Sequence, residues 1–200
     1  MDRETVLKYL QFERGLADRQ YLLAKILFGA APTILGEKPG TLLNFTVTDR
    51  PQQRIWTEVR QDFRQKIGAG WDVDFAELSN SPHNIVVLFY QRTTLVRRLE
   101  QPAVRQLLRE FGYPVRAKLE GLLDNLRNRF QTSCPPEVGI FLGVPVADVQ
   151  GFIVEQGGNY RLNGYWKVYH QPEQATQTFI NYDRLKRVVV EFLIKEKSSI

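Results

Sequence analysis

Ile85-Val86-Val87-Leu88-Phe89-Tyr90 is the stretch whose reading decides the fold. Every residue in it is apolar or aromatic, and no polar residue alternates with them. A half-buried strand shows a period of two. An unbroken apolar run of this length instead reads as a strand covered on both faces, central in its sheet, with helices on each side.

The neighbours follow from that centre. Trp71, Val73 and Phe75 alternate with Asp72 and Asp74, a strand with one wet face. The polar link Ser79 to His83 is short enough to join it to the central strand as a hairpin. Further upstream, Leu43, Phe45 and Val47 alternate with Asn44, Thr46 and Thr48, giving a strand over Leu42–Thr48. Asp49 and Gln52 have capping-box spacing with Pro51 in the first turn. Ile55, Val59, Phe63 and Ile67 then recur every four residues, with Gly68 placed to end that helix. At the front, Asp2 can cap a helix carrying Val6, Leu7 and Leu10, and a second stripe, Leu22, Leu23, Ile26 and Leu27, stops before Pro32.

Beyond Tyr90 the chain turns helical. Leu95, Val96 and Leu99 form one stripe, Pro102 opens a helix to Phe111, and Leu119, Leu122, Leu126 and Phe130 mark the next. Val138 to Leu142 reads as a strand, Pro145 opens a helix with Val149, Phe152 and Ile153, and Gly157-Gly158 closes the unit. Gly164 to Tyr169 reads as a fifth strand. Pro172 opens a long final helix through Phe179, Tyr182, Leu185 and Val189, although Val188 to Ile194 could compete as a strand. The expected class is α/β, with α+β as the alternative: N-terminal helices, a single mixed five-stranded sheet with helices packed on it and parallel neighbours across helical connections, and a long C-terminal helix. With 200 residues and no composition break, repeat or low-complexity linker, one domain over 1–200 is expected.

Composition excludes several classes. Hydrophobic residues make up 43% and charged residues 24%, which is neither disordered nor fibrous. The longest apolar runs are too short to cross a bilayer, and the N-terminus lacks a signal-peptide pattern, so a cytoplasmic protein is expected. One cysteine, Cys134, excludes an intramolecular disulfide and suits a reducing compartment. With it and two separated imidazoles, His83 and His170, no metal or other cofactor is expected.

The chemical candidates are few. Gly143-Val144-Pro145 leads into a helix start whose free N–H groups attract anions, but the widely spaced glycines make no dinucleotide fingerprint and there is no P-loop. Residues 91–130 hold nine Lys and Arg against four acids, a surplus equal to the +5 of the whole chain. Arg97, Arg98, Arg105 and Arg109 form a possible basic partner surface there, though no recognised nucleic-acid motif supports an RNA or DNA reading. Tyr165-Trp166-Lys167-Val168-Tyr169 is the most unusual segment. A period of two puts Tyr165, Lys167 and Tyr169 on one face, able to line a pocket, and Trp166 and Val168 on the core face.

Glu137-Val138-Gly139-Ile140-Phe141-Leu142-Gly143-Val144-Pro145, then Asp148-Val149 and Gly151-Phe152-Ile153, resembles the signature of an uncharacterised bacterial family found largely in anaerobic Firmicutes, a domain of unknown function. That signature runs His-Glu-Ile-Gly-Ile-Phe-Leu-Gly-Tyr-Pro and is followed by Gly-Tyr-Trp-Lys-Val-Tyr, present here as Gly164 to Tyr169. Lys38-Pro39 with Leu42 and Leu43, the strand ending in Tyr90 and Phe111-Gly112-Tyr113-Pro114 also fit. The family's His is Pro136 here, the Tyr before the proline is Val144, and a Cys before the last motif is replaced by Asn163. The resemblance implies that chemistry needing that His or Cys is absent here.

The resulting expectation is a non-catalytic binding module for a small ligand, an anion among the possibilities, or for a protein partner. Glu137, Gly139, Gly143, Pro145, Asp148, Tyr165, Lys167 and Tyr169 would supply the site, where the 143–145 turn meets the 165–169 strand. The sparse acid–base inventory leans away from an enzyme. An alternative is an enzyme with Glu137 as general base and Lys167 as electrostatic clamp. A nucleic-acid partner for 91–130 is a third reading.

Overall fold

The computed structural model describes residues 3–46, 51–65, 69–114 and 116–197. In chain order these form α1 (Arg3–Glu13), α2 (Asp18–Gly29), α3 (Ala31–Ile34), β1 (Gly40–Thr46), α4 (Gln52–Phe63), α5 (Ala69–Trp71), β2 (Val73–Asn80) and β3 (Asn84–Gln91). There follow α6 (Arg92–Leu99), α7 (Pro102–Glu110), α8 (Leu119–Phe130), α9 (Val138–Phe141), α10 (Val146–Val154), β4 (Leu162–Asn163), β5 (Lys167–Val168) and α11 (Pro172–Lys197). The helix cap at Asp2, the capping box from Asp49, and the readings at Val47, Thr48, Ile67 and Gly68 lie outside the described residues.

β3 occupies the centre, in the order β1-β3-β2, and both pairings are antiparallel. Its alternate side chains feed two cores. Ile85, Val87 and Phe89 join Phe45 of β1 and Val73 and Phe75 of β2 under α2, α3 and α4. Leu88 and Tyr90 join Ala76 and Leu78 under α6 to α10. The sheet is thus covered on both faces, as the unbroken run 85–90 requires. Trp56 of α4, fully buried, meets Phe75 and Phe89 edge-on at 4.7 and 5.5 Å between ring centroids. In α2, Leu22 and Ile26 are fully buried, while Leu23 and Leu27 pack from its margin.

Several expectations are corrected. The single five-stranded mixed sheet is instead a three-stranded antiparallel sheet and a separate two-stranded hairpin, β4–β5, with no parallel pair among the described residues. Val138 to Leu142 is no strand: Val138–Phe141 is helical and Leu142 caps it. Short apolar runs do not distinguish a strand from a buried helical turn. Here the Pro135-Pro136 turn starts i to i−3 bonding, with Val138 N–H donating to Pro135 O and Gly139 N–H to Pro136 O. Gly164 to Tyr169 is not a strand throughout: only Lys167 and Val168 pair, with Leu162 and Asn163, and residues 164–166 form the turn between. Val188 to Ile194 stays within α11, which runs 26 residues from Pro172. In β2, the strand begins at Val73, leaving Trp71 in α5 with 51% of its surface exposed.

Helix α11 holds the C-terminal half together. Phe179, Tyr182 and Asp183 receive the hairpin turn: the rings of Tyr165 and Trp166 stand 5.5 and 4.5 Å from that of Phe179, and Tyr165 OH donates to Asp183 Oδ1 at 2.7 Å. Among the described residues, no helix is long and apolar enough to cross a membrane.

Candidate functional site

Asp148 is the organising residue. It lies in the first turn of α10, is 2% exposed, and accepts three hydrogen bonds at 2.8 Å. Trp166 Nε1 donates to Oδ2, and the backbone N–H groups of Tyr169 and His170 both donate to Oδ1. The carboxylate therefore pins the segment after the hairpin to the start of α10. Its place near the positive end of that helix favours the charge.

The turn ahead of α10 is fixed by a glycine. Gly143 has φ +83°, in the left-handed region, and a Cβ there would stand 2.7 Å from Pro39 Cδ. Pro145 is the N-cap of α10. Arg98 donates to Val144 O at 2.6 Å, so this arginine closes the turn from α6. Gly143→Ala is expected to cost about 2–3 kcal/mol, combining backbone strain with the clash against the proline ring. Gly36 supplies the control: its φ is +82°, and an added methyl group would meet no described atom within 4 Å. Gly36→Ala should lose only about 1 kcal/mol in urea denaturation. Equal losses at both positions would show that Pro39 is not in the way.

Where this turn meets the segment after the hairpin, a cleft of about 400 Å³ opens. Gly143, Pro145 and Asp148 line it from one side, and Trp166, His170 and Gln171 from the other. Arg161 and His170 also border an adjoining hollow of about 460 Å³. His170 is exposed, with Nδ1 3.6 Å from Asp148 Oδ1. Gln171 holds φ +48°, an uncommon conformation for a residue with a side chain, at the cap of α11. Among the described residues, the only carboxylate in the lining is Asp148, and both its oxygens are occupied by donors. Arg161 is the one described arginine or lysine in the lining, and the Asp148 carboxylate is turned to its three donors.

Of the other expected site residues, Tyr169 borders the adjoining hollow and the rest lie outside the cleft. Tyr165 turns to α11, its ring between Lys38 and Lys186 at 5.9 and 5.1 Å. Burial, then the hydrogen bond to Asp183, pushes its phenol up. Lys167 donates to Gly157 O at 2.6 Å and lies over the rings of Tyr160 and Phe152. Tyr169 is buried against Gly151, where a Cβ would stand 2.6 Å from its ring, and its hydroxyl has no partner among the described residues. The expectation of one face for Tyr165, Lys167 and Tyr169 fails because the backbone turns at 164–166. Trp166, expected in the core, is half-buried in the cleft, while Val168 is fully buried.

Glu137 is fully buried, accepting from Tyr113 OH at 3.2 Å and from Arg129 Nε; Gly139 is buried against Val149. Glu137 is bonded to Tyr113 and Arg129 and Lys167 to Gly157 O, and neither side chain lines the cleft at residues 143–170. Burial first, and Glu137 second, push the Cys134 thiol up, the opposite of an activated nucleophile. Pro136 and Asn163, at the family's His and Cys positions, lie respectively in the turn before α9 and at the exposed edge of β4. Among the described residues, no group of three or more His, Cys, Asp or Glu could hold a metal ion.

Two features escape sequence reasoning. Arg161 and His170 carry no spacing signal; they reach the cleft because Asp148 ties down the chain beside them. Lys38, 9% exposed, pairs with no carboxylate among the described residues and lies 5.9 and 5.8 Å from the ring centroids of Tyr165 and Tyr182. Burial, and then the neighbouring charge of Lys186, lowers its ammonium to about 8. The sequence segments Lys38-Pro39, Gly143–Pro145 and Gly164–Tyr169 consequently meet in space.

Residues 26–200 match the family described as protein of unknown function (DUF3793). The chain belongs to that family. No curated protein and no solved structure matches it. For this DUF3793 member the family match covers both walls of the cleft, from Gly143 to Thr178, together with Lys38 and Pro39.

Proposed function

We propose that the protein is a non-catalytic binding module for a small anionic molecule, a carboxylate or phosphate compound, held in the cleft between the 143–145 turn and residues 166–170. The supporting observation is the lining itself. The cleft has small-ligand size, its only described carboxylate, Asp148, is engaged by three donors, and Arg161 and the His170 imidazole stand at its border, with Glu155 of the adjoining hollow bonded to Asn159. Pro145, Ala147, Trp166 and Ala175 supply an apolar wall for the rest of the ligand. A protein partner has no specific observation in its favour. The reading places the module in the cytoplasm, where the unpaired thiol of Cys134 is stable.

Calorimetric titration with pyrophosphate and citrate tests the reading. Both side chains are exposed, so Arg161→Gln and His170→Ala should leave folding intact. Each variant is expected to bind about tenfold more weakly than the parent, and the double variant more weakly still. Unchanged affinity in both would refute the cleft as the site.

A further inference from the structure

A second cleft, of about 350 Å³, lies between α6, α7 and the start of α8, and shares no lining residue with the cleft at residues 143–170. Its walls combine two chemistries. Leu99, Leu108 and Tyr113 are almost fully buried and give it apolar sides. Arg105, Arg109, Arg116 and Lys118 stand around it. Among the described residues, Arg105 has no side-chain hydrogen bond or ion pair, and Arg109 reaches only the carbonyl of Arg105 on its own helix. Of the two lining acids, Glu120 is engaged by Arg92, which leaves Glu100 as the remaining negative group. α8 begins here with no side-chain cap, so its first N–H groups add to the positive potential.

Surface arginines on a solvated helix normally face flat solvent. These flank a concavity with apolar walls, and the positive field is focused by the low-dielectric walls. Inorganic anions would satisfy the cations but leave the apolar surface idle. A neutral apolar molecule would fill the cleft but leave the cations unused. We propose that this cleft is a second binding site, for amphiphilic anions: molecules with a short acyl or aromatic body and a phosphate or carboxylate head. The body would lie along Leu99, Leu108 and Tyr113, and the head would be held by Arg105 and Arg109. This site is independent of the cleft at residues 143–170 and stands or falls separately.

The test is calorimetric titration of the full chain with octyl phosphate below its micelle-forming concentration, alongside inorganic phosphate and octanol. Octyl phosphate is expected to bind one per chain, about tenfold or more tighter than either fragment, with affinity falling as salt rises. The exposed pair Arg105→Gln/Arg109→Gln should lose about tenfold or more while unfolding at the parent's urea midpoint. His170→Ala should bind octyl phosphate as the parent does. Octyl phosphate binding no better than inorganic phosphate, or equally well to the Arg105/Arg109 variant, would overturn the proposal. Co-sedimentation with phosphatidylglycerol vesicles separates the sources of such a head group. The proteins are expected to stay in the supernatant; sedimentation dependent on Arg105 and Arg109 would mean a membrane lipid is bound instead of a free molecule.

Discussion

Arg129→Ala is expected to destabilise the protein by about 3–5 kcal/mol, far more than a half-exposed arginine ordinarily contributes. The reason lies in its partner. Glu137 is fully buried, and its Oε1 is reached by Arg129 Nε and by Tyr113 OH, while Oε2 has no partner among the described residues. Removing the guanidinium leaves a buried carboxylate facing a single neutral donor. Tyr113 stays a neutral donor, because burial and Glu137 both push its phenol up. Arg129 also covers the Phe111 ring at 5.4 Å, so packing is lost as well. Glu137→Gln should cost clearly less, since Arg129 is exposed enough to find water. The double variant Arg129→Ala/Glu137→Gln should recover much of the single Arg129 loss. Urea denaturation of the four proteins closes the cycle. A loss within about 1 kcal/mol for Arg129→Ala would mean the pair behaves as a surface bridge.

Asp148→Ala carries the second large effect, again about 3–5 kcal/mol. Three donors lose their acceptor together: the Trp166 indole N–H and the N–H groups of Tyr169 and His170. Tyr169 is 6% exposed, so water does not readily replace the carboxylate there. Asp148→Asn separates the contributions. Its single oxygen can keep the two backbone donors, while its amide meets the Trp166 N–H donor to donor. Stability should therefore fall in the order Asp, Asn, Ala. Trp166 fluorescence should report a more solvated indole already in the Asn variant. Equal stability of the Asp and Ala proteins would show that the segment after the hairpin is held by α11 alone.

The parts of the fold legible in the sequence are those set by burial periodicity. Ile85 to Tyr90 announces a strand covered on both faces because each of its two faces has its own core to fill. The stripe at Ile55, Val59 and Phe63 and the opening of α11 at Pro172 are local signals of the same kind. Val138 to Leu142 is illegible because a short, wholly buried segment is apolar whether it is helical or extended. The hairpin misleads for another reason. Alternation runs through Gly164 to Tyr169 in the sequence, but residues 164–166 are a turn, which sends Tyr165 to Asp183 and leaves Trp166 at the cleft. Gly143, Pro145 and Asp148 are recognisable as a turn and a helix start. Their counterparts Arg161 and His170 are not, since the contact that positions His170 is between residues 22 apart in sequence.

The most direct measurement is a titration of ¹⁵N-labelled protein with pyrophosphate and with citrate, following the three tryptophan indole N–H resonances. Trp166 lines the cleft and donates to Asp148; Trp56 is fully buried in the opposite core with its indole donating to Glu77, and serves as the internal reference. The account predicts a saturable shift at Trp166, lost in Arg161→Gln/His170→Ala, with Trp56 unmoved. A Trp166 resonance that stays in place at millimolar concentrations of both anions would contradict it.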